Sequence, residues 1–197
     1  ETGIAQNTEA KFGFLTEAAN SVGGYLVNAV PGANGANAAQ VFAQPRKAYV
    51  LLNAEPELDS FNPQVARSAL NQAEMVVVMS PYKHGNDFAD VLLPIAPFSE
   101  TSGTFVNAEG RAQSFNGTVK PLGDTRPAWK VLRVLGNLLE LSGFDYDTSE
   151  AIRNEIIGAN APADANLLPR LNNLGKAAPQ AEVAAAGLQL ELSLIHI

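Results

Sequence analysis

The chain has 197 residues, 46% of them hydrophobic and 17% charged, with a formal net charge of −7. That balance supports a packed core and excludes a disordered chain, while the acidic surface argues against nucleic acid, whose phosphates need a basic face. With no cysteine and two histidines, this sequence excludes its own thiolate-held iron–sulfur clusters, Cys zinc sites, Cys nucleophiles, disulfides and His-rich metal centres.

The chain starts at Glu1, without an initiator Met or a signal-peptide pattern, and is expected to begin in mid-fold. Residues 11–44 are rich in Gly, Ala and Asn. Gly23-Gly24 and Pro31-Gly32 are turn signals, with short helices predicted over 17–21 and 38–43. The glycines at 23–24 and 32–35 fit neither G-x-G-x-x-G nor the Walker pattern, so no phosphate cradle is assigned there. Residues 48–53 (AYVLLN) read as a buried strand, and 55–59 as an acidic loop at its carboxyl end. Asn62-Pro63 is a helix start, and Val65, Ala66, Ala69 and Leu70 at helical spacing predict a helix over 63–72. Residues 75–79 (MVVVM) are a second buried strand. Neither this run nor 91–93 is long enough to cross a bilayer, so no direct membrane insertion is expected.

Strand, helix, strand is a βαβ unit, and near-continuous apolar strands imply a parallel sheet covered on both faces. Residues 90–94 (DVLLP) add a third strand after a polar loop at 80–87. Residues 104–107 and 112–115 flank Ala108-Glu109-Gly110-Arg111, predicting two extended segments around a tight turn. Residues 127–141 are the strongest helix, with Trp129, Leu132, Leu135, Leu138 and Leu139 expected on a core-facing stripe and Gly143 as its stop. Asp147 and Glu150 suggest a capping box opening a helix over 149–157, closed by Gly158. The expected class is α/β: a parallel-sheet βαβ core with irregular loops and a mainly helical C-terminal part. Residues 1–158 are expected to form an incomplete α/β domain, followed by an Ala-, Asn-, Leu- and Pro-rich tail over 159–191. The last six residues, 192–197 (LSLIHI), back-translate as CTG TCT CTT ATA CAC ATC, which matches a transposase adapter. They are expected to be a sequencing-adapter artefact, and His196 carries no functional weight.

Two stretches, ADVLLP at 89–94 and ETSGTFVNAEGR at 100–111, are similar to the signature of the molybdopterin oxidoreductase superfamily. The segments FLTEAANS (14–21), VLLNAEPE (50–57), QSFNG (113–117) and AWKVLR (128–133) resemble the large iron–sulfur subunit, of the G type, of bacterial proton-pumping NADH–quinone oxidoreductase, respiratory complex I. Together these cover roughly residues 12–157. The resemblance implies a core of the molybdopterin oxidoreductase type and a scaffold piece of the peripheral arm. Electrons would run from NADH toward quinone through 2Fe-2S and 4Fe-4S clusters outside this fragment, with other peripheral-arm subunits as partners. It further implies that molybdopterin is absent and that the piece lies peripherally on the cytoplasmic side of the inner membrane, with no catalytic and no metal-binding residue of its own. The alternative is the cofactor domain of an active molybdopterin-dependent oxidoreductase of the formate-dehydrogenase kind. A stand-alone ligand-binding α/β protein is a third reading.

The signature positions Asp90, Pro94, Glu100, Gly103, Thr104, Asn107, Glu109, Gly110 and Arg111 admit two readings. Arg and turn amides suit the phosphates of a bound cofactor. The favoured reading is structural: Asn107, Glu109 and Arg111 satisfy backbone groups and one another around the turn, and Asp90 caps a neighbouring turn. Glu55, Glu57 and Asp59 after the first strand and Tyr82-Lys83-His84 after the second lie where α/β sheets bind ligands, but read as ordinary polar loops.

Overall fold

The computed structural model describes residues 16–158. The described residues fall into two compact units, residues 28–104 with 114–158, and residues 16–27 with 105–113. The expected tail at 159–191 and the hexapeptide at 192–197 lie outside the described residues.

In the larger unit, α2 (Ala38–Ala43) opens on a reciprocal cap in which the Asn37 side chain accepts from the Gln40 amide and Gln40 from the Asn37 amide. β1 (Ala48–Leu52) follows, and its Tyr49 ring stacks on Phe42 with centroids 5.9 Å apart. The Tyr49 hydroxyl accepts from the Arg46 amide and donates to the Val41 carbonyl, so a buried polar tip is satisfied. The chain leaves β1 through Asn53, at φ 50°, whose amide donates to the Met79 carbonyl. Residues 55–59, expected as a loop, hold a one-turn helix α3 (Pro56–Asp59). Pro56 presets the first helical φ, and the Asp59 carboxylate reaches back to the Glu55 amide at 2.6 Å.

Helix α4 (Pro63–Asn71) begins as its sequence predicts, with the Asn62 side chain accepting from the Val65 amide and Pro63 in the first turn. Ala66, Ala69 and Leu70 are its buried face. β2 (Met75–Ser80) and β3 (Val91–Pro94) complete a three-stranded parallel sheet in the order β1-β2-β3, with Tyr49 opposite Val76, Leu51 opposite Val78, and Val78 opposite Leu92. Ala69 and Leu70 of α4 pack with Tyr49, Leu51, Val76 and Val78 in one apolar cluster. This is the expected βαβ core. Coverage of both sheet faces is only partial: on the second face Met79 of β2 is fully buried, but β1 is not covered there. β1 alternates buried and exposed, and Val50 and Leu52 on its other face are 57% and 42% exposed. The described chain supplies α4 for one face of the sheet and leaves β1's other face open.

After a 3-10 turn (Phe98–Glu100), β4 (Gly103–Val106) and β5 (Ala112–Phe115) pair as the predicted two-stranded ribbon. α5 (Ala128–Leu138) and α6 (Ser149–Ile157) follow. The expected core-facing stripe of α5 holds only at its start, where Trp129 and Leu132 are partly buried, and is corrected at its end. Leu138 and Leu139 are 76% and 60% exposed, and the one buried residue of the helix is Gly136, packed against the Phe144 ring. The left-handed residue that ends α5 is Glu140, with Gly143 in that conformation three residues later. The cap of α6 is Thr148, whose hydroxyl accepts from the Ala151 amide, not Asp147.

In the smaller unit, α1 (Ser21–Leu26) lies downstream of the helix predicted over 17–21. Its Gly23-Gly24 pair, read as a turn, is helical, and Asn20 packs tightly against Gly23. A Cβ on Gly23 would fall 2.1 Å from Asn20 Oδ1, which accepts from the Val106 amide at 2.8 Å. Val22, Leu26, Val106 and Ala112 are buried. Among the described residues, no helix is long and apolar enough to cross a membrane.

Candidate functional site

In parallel α/β sheets the backbone turns away at the carboxyl ends of the strands, leaving a crevice where ligands bind. Here three loops leave that edge. The first carries α3. Its Asp59 is occupied by the Glu55 amide, whereas Glu57 Oε2 is buried and has no hydrogen-bond partner. The second follows β2. The Ser80 hydroxyl accepts from the Tyr82 amide, Gly85 at φ 73° brings the chain against the Phe88 ring, and Asp87 pairs with Arg67 of α4. Both ring nitrogens of His84 are buried without a partner. The loop is therefore pinned at several points while its imidazole is left unsatisfied. Buried polar atoms in folded proteins are ordinarily paired, so an unpaired carboxylate oxygen and imidazole on neighbouring loops of the ligand edge are a site signature.

The signature residues are placed differently. Asp90 Oδ2 accepts from the Val76 amide at 2.7 Å, and the Asp90 amide donates to the Val76 carbonyl, tying the entry of β3 to β2. Pro94 ends β3 opposite Ser80. Glu100 Oε2 accepts from the Leu122 amide at 3.0 Å. Gly103 meets the Phe115 ring, where a Cβ would come within 2.7 Å, and the Thr104 hydroxyl bonds to that of Ser114. Asn107 Oδ1 accepts from the amides of Glu109 and Arg111, the Gly110 amide donates to the Asn107 carbonyl, and Gly110 takes φ 78°. The side chains of Glu109 and Arg111 project from this turn as exposed residues. Asp90, Glu100 and Asn107 each spend a side-chain oxygen on backbone amides. Among the described residues no group of three or more His, Asp or Glu is placed to hold a metal ion.

Two features have no counterpart in the sequence reading. A polar cleft of about 200 Å³ lies between β4, β5 and the start of α6, lined by Thr104, Ser114, Ser149, Glu150 and Arg153. Arg153 donates to the Ser114 hydroxyl, and Ser102 and Ser149 share a hydrogen bond of 2.6 Å. The Glu150 carboxyl is held below its ordinary value, chiefly by its own backbone amide, against a smaller desolvation effect, with further lowering from the Ser149 and Thr148 hydroxyls and the Arg153 charge. The second is a wider cleft beside the end of β3 that includes Trp129 and Lys130. The first joins residues 114 and 153, which are 39 positions apart, so no local motif announces it.

Comparison with known proteins gives the chain a family and a fold likeness. The Molybdopterin oxidoreductase family model matches residues 2–138. A Staphylococcus haemolyticus (strain JCSC1435) protein that bears the provisional name formate dehydrogenase is 33% identical over 98 residues, 49% of this chain and 10% of that protein. Two Staphylococcus aureus proteins with the same provisional name are 45% identical over 60 residues (strain bovine RF122 / ET3-1; 30% of this chain, 6% of that protein) and 33% identical over 96 residues (strain MRSA252; 48% and 10%). The chain thus spans a small part of the relatives it matches. Among solved structures, acetylene hydratase from Pelobacter acetylenicus superposes with a TM-score of 0.54 at 22% identity, covering 66% of this chain and 20% of that one, a likeness of fold. These findings overturn two expectations. The three relatives above bear the provisional name formate dehydrogenase and none is named as a respiratory-complex subunit, so the reading as a scaffold of NADH–quinone oxidoreductase is corrected. The expected absence of molybdopterin is corrected by the same names and by the family match.

Proposed function

Because the chain belongs to the molybdopterin oxidoreductase family, we propose that it is part of an active molybdopterin-dependent oxidoreductase of the formate-dehydrogenase kind, and that its parallel sheet helps to hold the cofactor. The observation that carries this reading is the pair of unsatisfied groups at the carboxyl edge, Glu57 Oε2 and the two His84 nitrogens. They fit the group that the family implies. A pterin presents donors and acceptors side by side; a carboxylate accepts, and a neutral imidazole donates from one nitrogen and accepts at the other. Glu57 and His84 would hold it, leaving buried polar atoms paired that are otherwise orphaned. When bound, the group supplies the metal and the two-electron chemistry of substrate oxidation. The residues of this chain bind and orient. Asn53, tied to the Met79 carbonyl, and the Arg67–Asp87 ion pair fix the two loops on the sheet. Residues 1–158 act as one part of a larger cofactor-binding domain, and with no cysteine in the sequence any thiolate ligand to the metal comes from elsewhere in the polypeptide.

The test uses the complete protein that contains this chain, purified anaerobically. Metal analysis is expected to find molybdenum or tungsten, and formate is expected to reduce an artificial electron acceptor. Glu57→Gln and His84→Gln are each expected to lower the cofactor content recovered with the protein while the fold persists by circular dichroism. A complete protein with iron–sulfur clusters and neither metal would sink the proposal.

A further inference from the structure

The sequence contains two Asn-Gly pairs, Asn34-Gly35 and Asn116-Gly117. Glycine has no Cβ, so its backbone nitrogen can approach the side-chain carbonyl carbon of a preceding asparagine, where a larger residue would block the way. Whether it does so depends on what else holds the two groups. Asn34 lies in a turn, and the Gly35 amide donates to the Gly32 carbonyl at 2.9 Å. The Gly117 amide has no such acceptor among the described residues. The Asn116 side chain is exposed and makes no hydrogen bond there either, whereas Asn20, Asn37, Asn62 and Asn107 each commit the side-chain oxygen to a backbone amide. Asn116 follows the end of β5 and shares the polar cleft with Ser114, Glu150 and Arg153.

We propose that Asn116 is a site of spontaneous covalent modification, deamidation through a cyclic imide with Gly117, which places a new carboxylate in the polar cleft. The Gly117 nitrogen gives up its proton and forms a bond to the Asn116 side-chain carbonyl carbon, and the side-chain nitrogen leaves as ammonia. Water then adds to either imide carbonyl and breaks its bond to the shared nitrogen. Opening at the side-chain carbonyl gives aspartate. Opening at the backbone carbonyl gives isoaspartate, in which the main chain runs through the side-chain carbon. Water is consumed, ammonia is released, and nothing is oxidised or reduced. The surroundings make the two products unequal. Isoaspartate lengthens the main chain by a methylene directly ahead of Gly117. That glycine lies so close to Glu100 that a Cβ would fall 2.8 Å from the Glu100 carbonyl carbon, and the next amide, that of Thr118, donates to the Ser99 carbonyl at 2.7 Å. So tight a joint has no slack for an added methylene. Isoaspartate therefore pulls the Thr118–Ser99 hydrogen bond apart, while aspartate leaves it in place.

The complete protein that contains this chain, incubated in mildly alkaline buffer and then digested, tests this. Peptides carrying Asn34 and Asn116 are followed by mass spectrometry, with the aspartyl and isoaspartyl forms separated by chromatography. Asn116 is expected to convert about fivefold faster than Asn34, because the Gly35 amide must first give up its hydrogen bond. In denaturant the two are expected to convert at similar rates, since both are then unfolded Asn-Gly pairs. Hydrogen exchange at Thr118 is expected to speed up in the isoaspartyl fraction and to stay at the parental rate in Asn116→Asp, which carries the charge without the added methylene. Asn116→Gln, whose longer side chain closes the ring far more slowly, is expected to abolish the product. The proposal is overturned if Asn116 stays intact in the folded protein, if Asn34 converts as fast, or if the same difference in rate persists in denaturant, which would trace it to the neighbouring sequence and not to the fold.

Discussion

Asn107 carries the tight turn between β4 and β5 on one side-chain oxygen, which accepts from the amides of Glu109 and Arg111 at 3.1 and 2.9 Å. Asn107→Ala leaves both amides without that acceptor and is expected to cost about 1–2 kcal/mol; hydrogen exchange at residues 109 and 111 should speed up accordingly. Gly110 at φ 78° is the matching backbone requirement, and Gly110→Ala adds strain of about 1–2 kcal/mol. Titration is also a residue-scale matter. The depressed Glu150 carboxyl contributes stability above its unfolded value near 4.5, and that contribution is lost as pH falls through the lower folded value. Amides in the first turn of α6 are therefore expected to lose protection on acidification below the ordinary carboxyl range, and Glu150→Gln should remove the dependence. Because this carboxyl is exposed, added salt should weaken the effect. Tyr146 behaves oppositely. Its hydrogen bond to Glu155, then desolvation and the Glu155 charge, raise its hydroxyl above 10.0, so its contribution holds at neutral pH and fades as pH rises through the folded value.

At the scale of elements, α4 and α5 show how local pattern and packing separate. Both have amphipathic spacing. α4 finds the sheet and buries Ala66, Ala69 and Leu70. α5 buries Gly136, on which the Phe144 ring rests so closely that a Cβ would be 2.3 Å from it. Gly136→Ala is expected to cost about 1–3 kcal/mol in a denaturation curve, because the ring must be displaced. Leu138→Gln and Leu139→Gln, on the stripe that periodicity assigns to the core, are expected to stay within about 0.5 kcal/mol of the parent. A loss of several kcal/mol at either leucine would show that the stripe is packed after all.

At the scale of the whole molecule, the parallel sheet presents Val50 and Leu52 to solvent on one face and α5 presents Leu138 and Leu139. Parallel sheets are stable with both faces covered, and exposed apolar patches associate. The chain by itself is expected to self-associate in sedimentation velocity. Val50→Thr with Leu52→Thr should reduce that association with little change in melting temperature; a monodisperse wild-type monomer would contradict the expectation.

The sequence by itself determined the parts whose causes are local. Strand 48–52, the Asn62-Pro63 helix start, the MVVVM strand and the Gly110 turn follow from side-chain period, a capping oxygen, a fixed proline φ and a glycine at positive φ. The signature over 90–111 was legible for the same reason. Asp90, Gly103, Asn107 and Gly110 serve the backbone of one strand entry and one ribbon, so they identify the fold, and the same service is needed whatever reaction the protein performs. That is why the family could be read and the respiratory assignment could not. Only the tertiary structure decided which polar groups are left without partners. Glu57 and His84 lie 27 positions apart and look like loop residues until two adjacent strands deliver them to one edge of the sheet. Lys120, Arg126 and Lys130 look like scattered surface charge until the segment after β3 closes the opposite wall of their cleft. Burial and pairing depend on what the rest of the chain brings alongside, and no window of sequence contains that.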